Sequence, residues 1–96
     1  MAVVWAPQTL DDFERIFAHN LEWKGVDRAE SIEMAIRRHG DRLTRNSGIP
    51  WGRPNERRSL NADDYWLFFR VHGDDIQIFA VFHAKENWTV LTGERQ

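Results

Sequence analysis

The sequence predicts an α+β domain with the order β-α-α-β-β-β, in which two antiparallel helices pack on one face of a small antiparallel sheet. Three observations lead there. Tyr65 to His83 holds two β-prone apolar runs around Gly73-Asp74, and glycine supplies the positive φ that a two-residue hairpin turn needs. Two upstream stretches, one before Gly25 and one after Asp27, carry apolar residues at helical spacing. A short β-prone run, Val3 to Ala6, precedes both and stops at Pro7. Amphipathic helices and a one-sided hairpin must bury their apolar faces, and a helix layer on a sheet does this for both.

Taken in order, Val3 to Ala6 reads as the opening strand. Pro7 suits the start of a helix, where a missing N–H is no loss. That helix begins at Gln8 or Thr9, with Asp11, Asp12 and Glu14 near its positive end. Leu10, Phe13, Phe17 and Leu21, with Ile16 beside them, form its expected apolar stripe, and it ends before Gly25. Asp27 and Glu30 have the spacing of a capping box for the second helix. Ala29, Ile32, Ala35, Ile36 and Leu43 form the second stripe, interrupted by Gly40, and the helix is expected to continue to about Arg45. The short link Lys24 to Val26 makes the pair antiparallel. Residues 46–55 contain two glycines and two prolines, which marks a loop. Glu56 to Leu60 is a candidate strand before the turn Asn61-Ala62-Asp63.

Placing His72 opposite Asp75 sets the hairpin register. Val71 then faces Ile76, Phe69 faces Ile78, Leu67 faces Ala80 and Tyr65 faces Phe82. These residues share one apolar face, because side chains alternate along strands. The other face carries Trp66, Phe68, Arg70, Gln77, Phe79, Val81 and His83, half aromatic and half polar. Contiguous exposed aromatics mark binding surfaces. The competing reading is that Trp88 to Leu91 folds back and hides them. Residues 85–96 form a polar tail whose one β-prone patch is Trp88 to Thr92.

At 96 residues the chain is read as one domain, 1–96. With 42% hydrophobic and 29% charged residues it is globular rather than disordered. The absence of cysteine excludes a disulfide scaffold and a thiolate metal site. The first residues lack the basic and apolar regions of a signal peptide, and no run is long enough to cross a bilayer, so a cytoplasmic protein is expected. The histidines show no metal-ligand spacing, and no metal or cofactor is expected. Net charge is −2, which argues against a dedicated nucleic-acid binder. Yet eight arginines fall between Arg28 and Arg58, against four acids.

Several of these features occur together in one known group. They are Val-Val-Trp-Ala-Pro at 3–7 with Leu10, Asp12 and Ile16; the helical pair; Gly-Ile-Pro-Trp-Gly-Arg-Pro at 48–54; Arg58 and Leu60; and Leu-Phe-Phe-Arg-Val-His-Gly-Asp-Asp-Ile-Gln-Ile-Phe-Ala-Val-Phe-His at 67–83. The chain resembles the RelE/ParE superfamily of toxins from type II toxin–antitoxin modules, nearly throughout as far as His83. The resemblance implies the fold described above and a cognate antitoxin as partner. On this reading the antitoxin contacts Trp66, Phe68, Arg70, Phe79 and Val81, and the toxin's target contacts Arg53, Arg57 and Arg58. ParE-like members bind DNA gyrase without doing chemistry; RelE-like members cut mRNA in the ribosomal A site. A nuclease would need a base, an acid and cations for phosphate, and Arg58, Arg70 and His83 are the candidates. After His83, where RelE-like nucleases tend to carry Lys, Arg, His or Tyr, this chain has Ala84, Lys85, Glu86 and Asn87. Trp66 stands where many members carry arginine. These departures and the net charge favour the ParE-like branch. A third reading is a non-toxic member that binds an antitoxin or modulates a repressor.

Overall fold

Gly73 sits at φ 60° and closes the expected hairpin between β4 (Tyr65–His72) and β5 (Asp75–His83). The computed structural model describes residues 2–94. Ahead of the hairpin come β1 (Val3–Trp5), α1 (Gln8–Lys24), α2 (Val26–Asp41), β2 (Ile49–Pro50) and β3 (Glu56–Leu60), and α3 (Trp88–Gly93) follows it. The sheet order is β1-β5-β4-β3-β2. All neighbours are antiparallel except β1, which runs parallel to β5 with Val3 opposite Ile76 and Trp5 opposite Ile78.

The two helices cover one face of this sheet as expected. Phe13 and Ile16 of α1 and Ile32 and Ile36 of α2 join Leu43, Tyr65, Leu67, Phe69, Ile76 and Ile78 in one buried core. Burying such side chains stabilises by about 1.5–3 kcal/mol each before ordering entropy is counted. Gly40 is where α2 meets β1. A Cβ there would lie 2.4 Å from the Trp5 ring and 2.9 Å from Ile78 Cδ1, so only glycine lets the helix come this close.

The register expected for the hairpin holds from His72–Asp75 to Phe69–Ile78 and then shifts. Phe68 pairs with Ala80, Leu67 with Val81 and Tyr65 with His83, because β5 contributes one extra residue, Phe79. This is a β-bulge, and a one-residue slip exchanges the faces beyond it. Val81 therefore joins the helix-side core, whereas Ala80 and Phe82 turn to the opposite face. The expected placements of Ala80, Phe82, Val81 and His83 are each reversed.

Other boundaries differ for identifiable reasons. α2 ends at Asp41 rather than Arg45, and the chain tightens into i→i−3 bonds, Arg42 N–H to His39 C=O and Leu43 N–H to Gly40 C=O. The Asp27–Glu30 capping box does not form; Gly25, at φ 86°, precedes the helix without a side-chain cap. Within the loop, Ile49 and Pro50 pair with Arg58 and Arg57 as a short edge strand. The β-prone patch after the hairpin is helical, as α3, and the last two residues of the polar tail, 95 and 96, lie outside the described residues.

The buried stripe of α1 also differs. Thr9, Asp12, Phe13, Ile16 and Asn20 point inward, while Leu10 and Leu21 are exposed at 60% and 44%. The polar members are buried because each finds a partner. Thr9 Oγ1 donates to Ala6 C=O at 2.6 Å, and Asn20 Nδ2 donates to Ile16 C=O and to Tyr65 Oη. Asp12 accepts from the backbone N–H of Val81 at 3.0 Å.

Candidate functional site

The second face of the sheet is closed by the chain itself. Phe68, Phe79, Ala80 and Phe82 form a buried cluster there with Ala6. Trp66 from β4, Trp51 from the loop, and Trp88 and Leu91 from α3 pack over it. Trp88 is the centre of the cover, with ring centroids 5.1 Å from Trp51, 5.9 Å from Phe68 and 6.0 Å from Trp66. The open aromatic surface expected for antitoxin contact is therefore corrected. Phe68 and Phe79 are fully buried beneath this cover, and Val81 lies on the other side of the sheet. Trp66 and Arg70 remain half-buried.

The arginines of β3 and β4 have intramolecular roles. Arg58 lies 4.0 Å from the Trp66 ring centroid, 4.6 Å from Trp88 and 5.4 Å from Trp51. Among the described residues its Nε has no hydrogen-bond partner, and burial lowers its pKa from the usual arginine value. Three aromatic faces supply the attraction that water would otherwise give. Arg70 donates from Nε to Glu56 Oε2 at 3.0 Å and lies 4.0 Å over the Phe79 ring. Glu56 is fully buried and also accepts the Arg53 backbone N–H through Oε1. Arg57 donates to the carbonyls of Ser47 and Gly48 at 2.7 and 2.9 Å, pinning the loop. Of the three arginines expected to meet a target, Arg53 is the exposed one.

The nuclease candidates do not converge. Arg58 and Arg70 are on the covered face, whereas His83 pairs with Tyr65 on the helix side, its ring edge-on to Tyr65 at 5.0 Å. The bulge at Phe79 causes this separation. His83 instead lines a cleft of about 510 Å³ with Arg15, Ile16, His19, Tyr65, Lys85 and Glu86. Its Nδ1 accepts the Lys85 backbone N–H at 3.1 Å, which leaves a proton on Nε2 in the neutral ring. The Tyr65 phenol is pushed up, chiefly by burial, although the Asn20 hydrogen bond pulls the other way.

A further apolar surface lies outside the helical pair. Leu10, Phe13, Phe17, Ala18 and Leu21 line a shallow groove of about 550 Å³, bordered by Glu14, Glu33 and Arg37. Arg37 lies 4.1 Å over the Phe13 ring and pairs with Glu33 at 3.3 Å. The apolar spacing of α1 predicted Leu10, Phe17 and Leu21 as core; the fold places them on this outer groove instead. Asp12, Glu56 and Asn20 carry no sequence signal of burial, since nothing distinguishes them from solvated residues until their partners are known. No group of three His, Asp or Glu among the described residues is arranged to hold a metal ion. No helix among them is long and apolar enough to cross a membrane.

Comparison with known proteins gives a consistent picture. The family model for the ParE toxin of type II toxin–antitoxin systems, parDE, matches residues 3–88. No curated protein matches the sequence. Six chains of solved structures do match. One belongs to the chromosomal ParDE TA system from P. aeruginosa, with a TM-score of 0.77 and 21% identity, over 88% of this chain and 97% of that one. At that identity the likeness speaks for the fold.

Proposed function

Because this chain belongs to the ParE toxin family of type II toxin–antitoxin systems, we propose that it acts by binding DNA gyrase and that a cognate antitoxin neutralises it. The observation that favours binding over RNA cutting is the separation of His83 from Arg58 and Arg70 across the sheet. A phosphodiester can be cut only where proton carriers and cations reach the same phosphate. Arg53, exposed on the loop beside the Arg57 and Arg58 strand, is the arginine of that trio best placed to touch the target. The toxin then works where gyrase does, in the cytoplasm.

The test is a gyrase assay with purified toxin. Cleaved DNA should accumulate with gyrase and supercoiling should fall, and added antitoxin should reverse both. Unaltered gyrase, together with A-site cuts in translated mRNA that disappear in His83→Ala, would transfer the protein to the RelE-like branch. Expression without growth arrest would support the non-toxic reading.

For the antitoxin, the outer groove of α1 offers the open apolar surface that the covered aromatic face does not. Leu10, Phe17 and Leu21 form an apolar strip with Glu14 and Glu33 at its rim, which suits the apolar side of an amphipathic arm. Leu21→Glu should weaken antitoxin binding at least about tenfold while leaving folding within about 0.5 kcal/mol. Calorimetric titration showing unchanged affinity would place the arm elsewhere.

A further inference from the structure

Eight arginines lie between Arg28 and Arg58, and the fold engages most of them. Arg28 pairs with Asp63, Arg37 with Glu33 and Arg45 with Asp74. Arg57 holds two carbonyls, Arg58 sits among three tryptophans, and Arg53 is engaged as well. The side chains of Arg38 and Arg42 make no hydrogen bond or ion pair among the described residues. Both are exposed, Arg38 on the last turn of α2 and Arg42 at the C-cap that follows Asp41. Both line one cleft of about 270 Å³ between α2 and β3.

The rest of that cleft offers polar hydrogens. His39 Nε2 lies 2.8 Å from Ser59 Oγ, and whichever atom donates, the pair has a second hydrogen to offer. Asn61 is 6% exposed. Its Oδ1 accepts the N–H groups of Asp63 and Tyr65, both at 3.0 Å, which fixes the amide orientation. Its Nδ2 is then a buried donor without a partner among the described residues. An unsatisfied buried donor costs about 1–3 kcal/mol, so a ligand that accepts from it has a built-in advantage. No carboxylate is among the residues that line the cleft. The C-terminal dipole of α2 opposes an anion, with roughly half a charge; two guanidinium charges outweigh it.

We propose that this cleft binds a phosphate group, held by Arg38 and Arg42 and completed by Asn61 and the His39–Ser59 pair. A phosphate presents more acceptor sites than a carboxylate, and guanidinium forks match its oxygens. The site is independent of the gyrase reading, because none of its residues enters that argument.

The experiment follows the His39 ring by NMR while inorganic phosphate is added at constant ionic strength. His72, exposed beside the hairpin turn, is the reference ring. A saturable shift at His39 without one at His72 is expected. It should require about tenfold more phosphate, or still more, in the Arg38→Gln/Arg42→Gln double variant. Those side chains have no partner to lose, and the amide spectrum confirms that the variant is folded. A 5′-phosphorylated oligodeoxynucleotide that binds more tightly than phosphate supports a strand end as the source; equal affinity supports the phosphate group alone. No saturable shift at His39, an unchanged midpoint in the double variant, or acetate binding as tightly as phosphate overturns the proposal.

Discussion

Arg70→Met should destabilise the fold by about 3–5 kcal/mol, the usual cost of removing one partner of a buried ion pair. Glu56 is fully buried in β3, and Arg70, directly opposite it in β4, donates to it at 3.0 Å. The Arg70 guanidinium lies over the Phe79 ring, so the substitution also removes that cation–π contact, which the methionine thioether replaces only in part. Urea unfolding would show a lower midpoint with an unchanged slope. Adding Glu56→Gln to Arg70→Met should recover more than half of the loss, because the buried carboxylate that lost its Arg70 partner is then neutral. A single-variant cost below about 1 kcal/mol would show that the pair behaves as a surface salt bridge. The result bears directly on function. Loss of toxicity in Arg70→Ala would otherwise be taken as loss of a phosphate or antitoxin contact, when unfolding is the simpler cause.

The same residue shows how far the sequence could be read. Alternation puts Arg70 on the second face, where the structure has it, because the hairpin turn is local: Gly73 specifies it, and the register carries outward as far as Phe69 and Ile78. Beyond that point the register depends on the extra residue Phe79, and no pattern in Phe-Ala-Val-Phe distinguishes a bulge from continuous alternation. Plain alternation therefore puts His83 on the face of Arg58 and Arg70, whereas the bulge turns it to the helix side and separates the three. The helical pair was legible from its spacing, but the inward face of α1 was not. Periodicity counts apolar residues, and this face buries Thr9, Asp12 and Asn20 instead. Their burial depends on partners at Ala6, Val81 and Tyr65, two of them more than forty residues away. The role of α3 was undecided for a related reason. Trp88 and Leu91 fit either a strand or a helix, and only the rings of Trp51, Trp66 and Phe68 select the helix that covers them.

Asp12→Ala should cost about 2–4 kcal/mol, from an orphaned buried amide and a lost charge-assisted bond. β1 ends at Trp5, and beyond the Ala6 N–H bond to Ile78 C=O the chain turns into α1. Among the described residues, the outer edge of β5 from Val81 onward thus has no strand beside it. Side chains take the strand's place. Asp12 Oδ2 accepts the Val81 N–H at 3.0 Å, Arg15 donates to the Val81 C=O at 3.0 Å, and Glu86 accepts the His83 N–H at 2.8 Å. Asp12 and Glu86 both pair with Arg15, at 3.0 and 3.3 Å, which ties the three together. Asp12→Asn keeps an oxygen for Val81 but turns its NH2 toward Arg15 and so loses that half-exposed ion pair, which should cost about 1 kcal/mol. Amide hydrogen exchange separates the two effects. The Val81 N–H should lose protection in Asp12→Ala well beyond the change at Phe69 or Ile78, whereas Asp12→Asn should change all three together. An uncapped strand edge also invites pairing between chains, so Asp12→Ala should form dimers or aggregates at concentrations where the parent chain stays monomeric. Equal protection at Val81 in both variants would mean that water replaces the carboxylate without penalty, and α1 would then be packed on the sheet by its apolar residues alone.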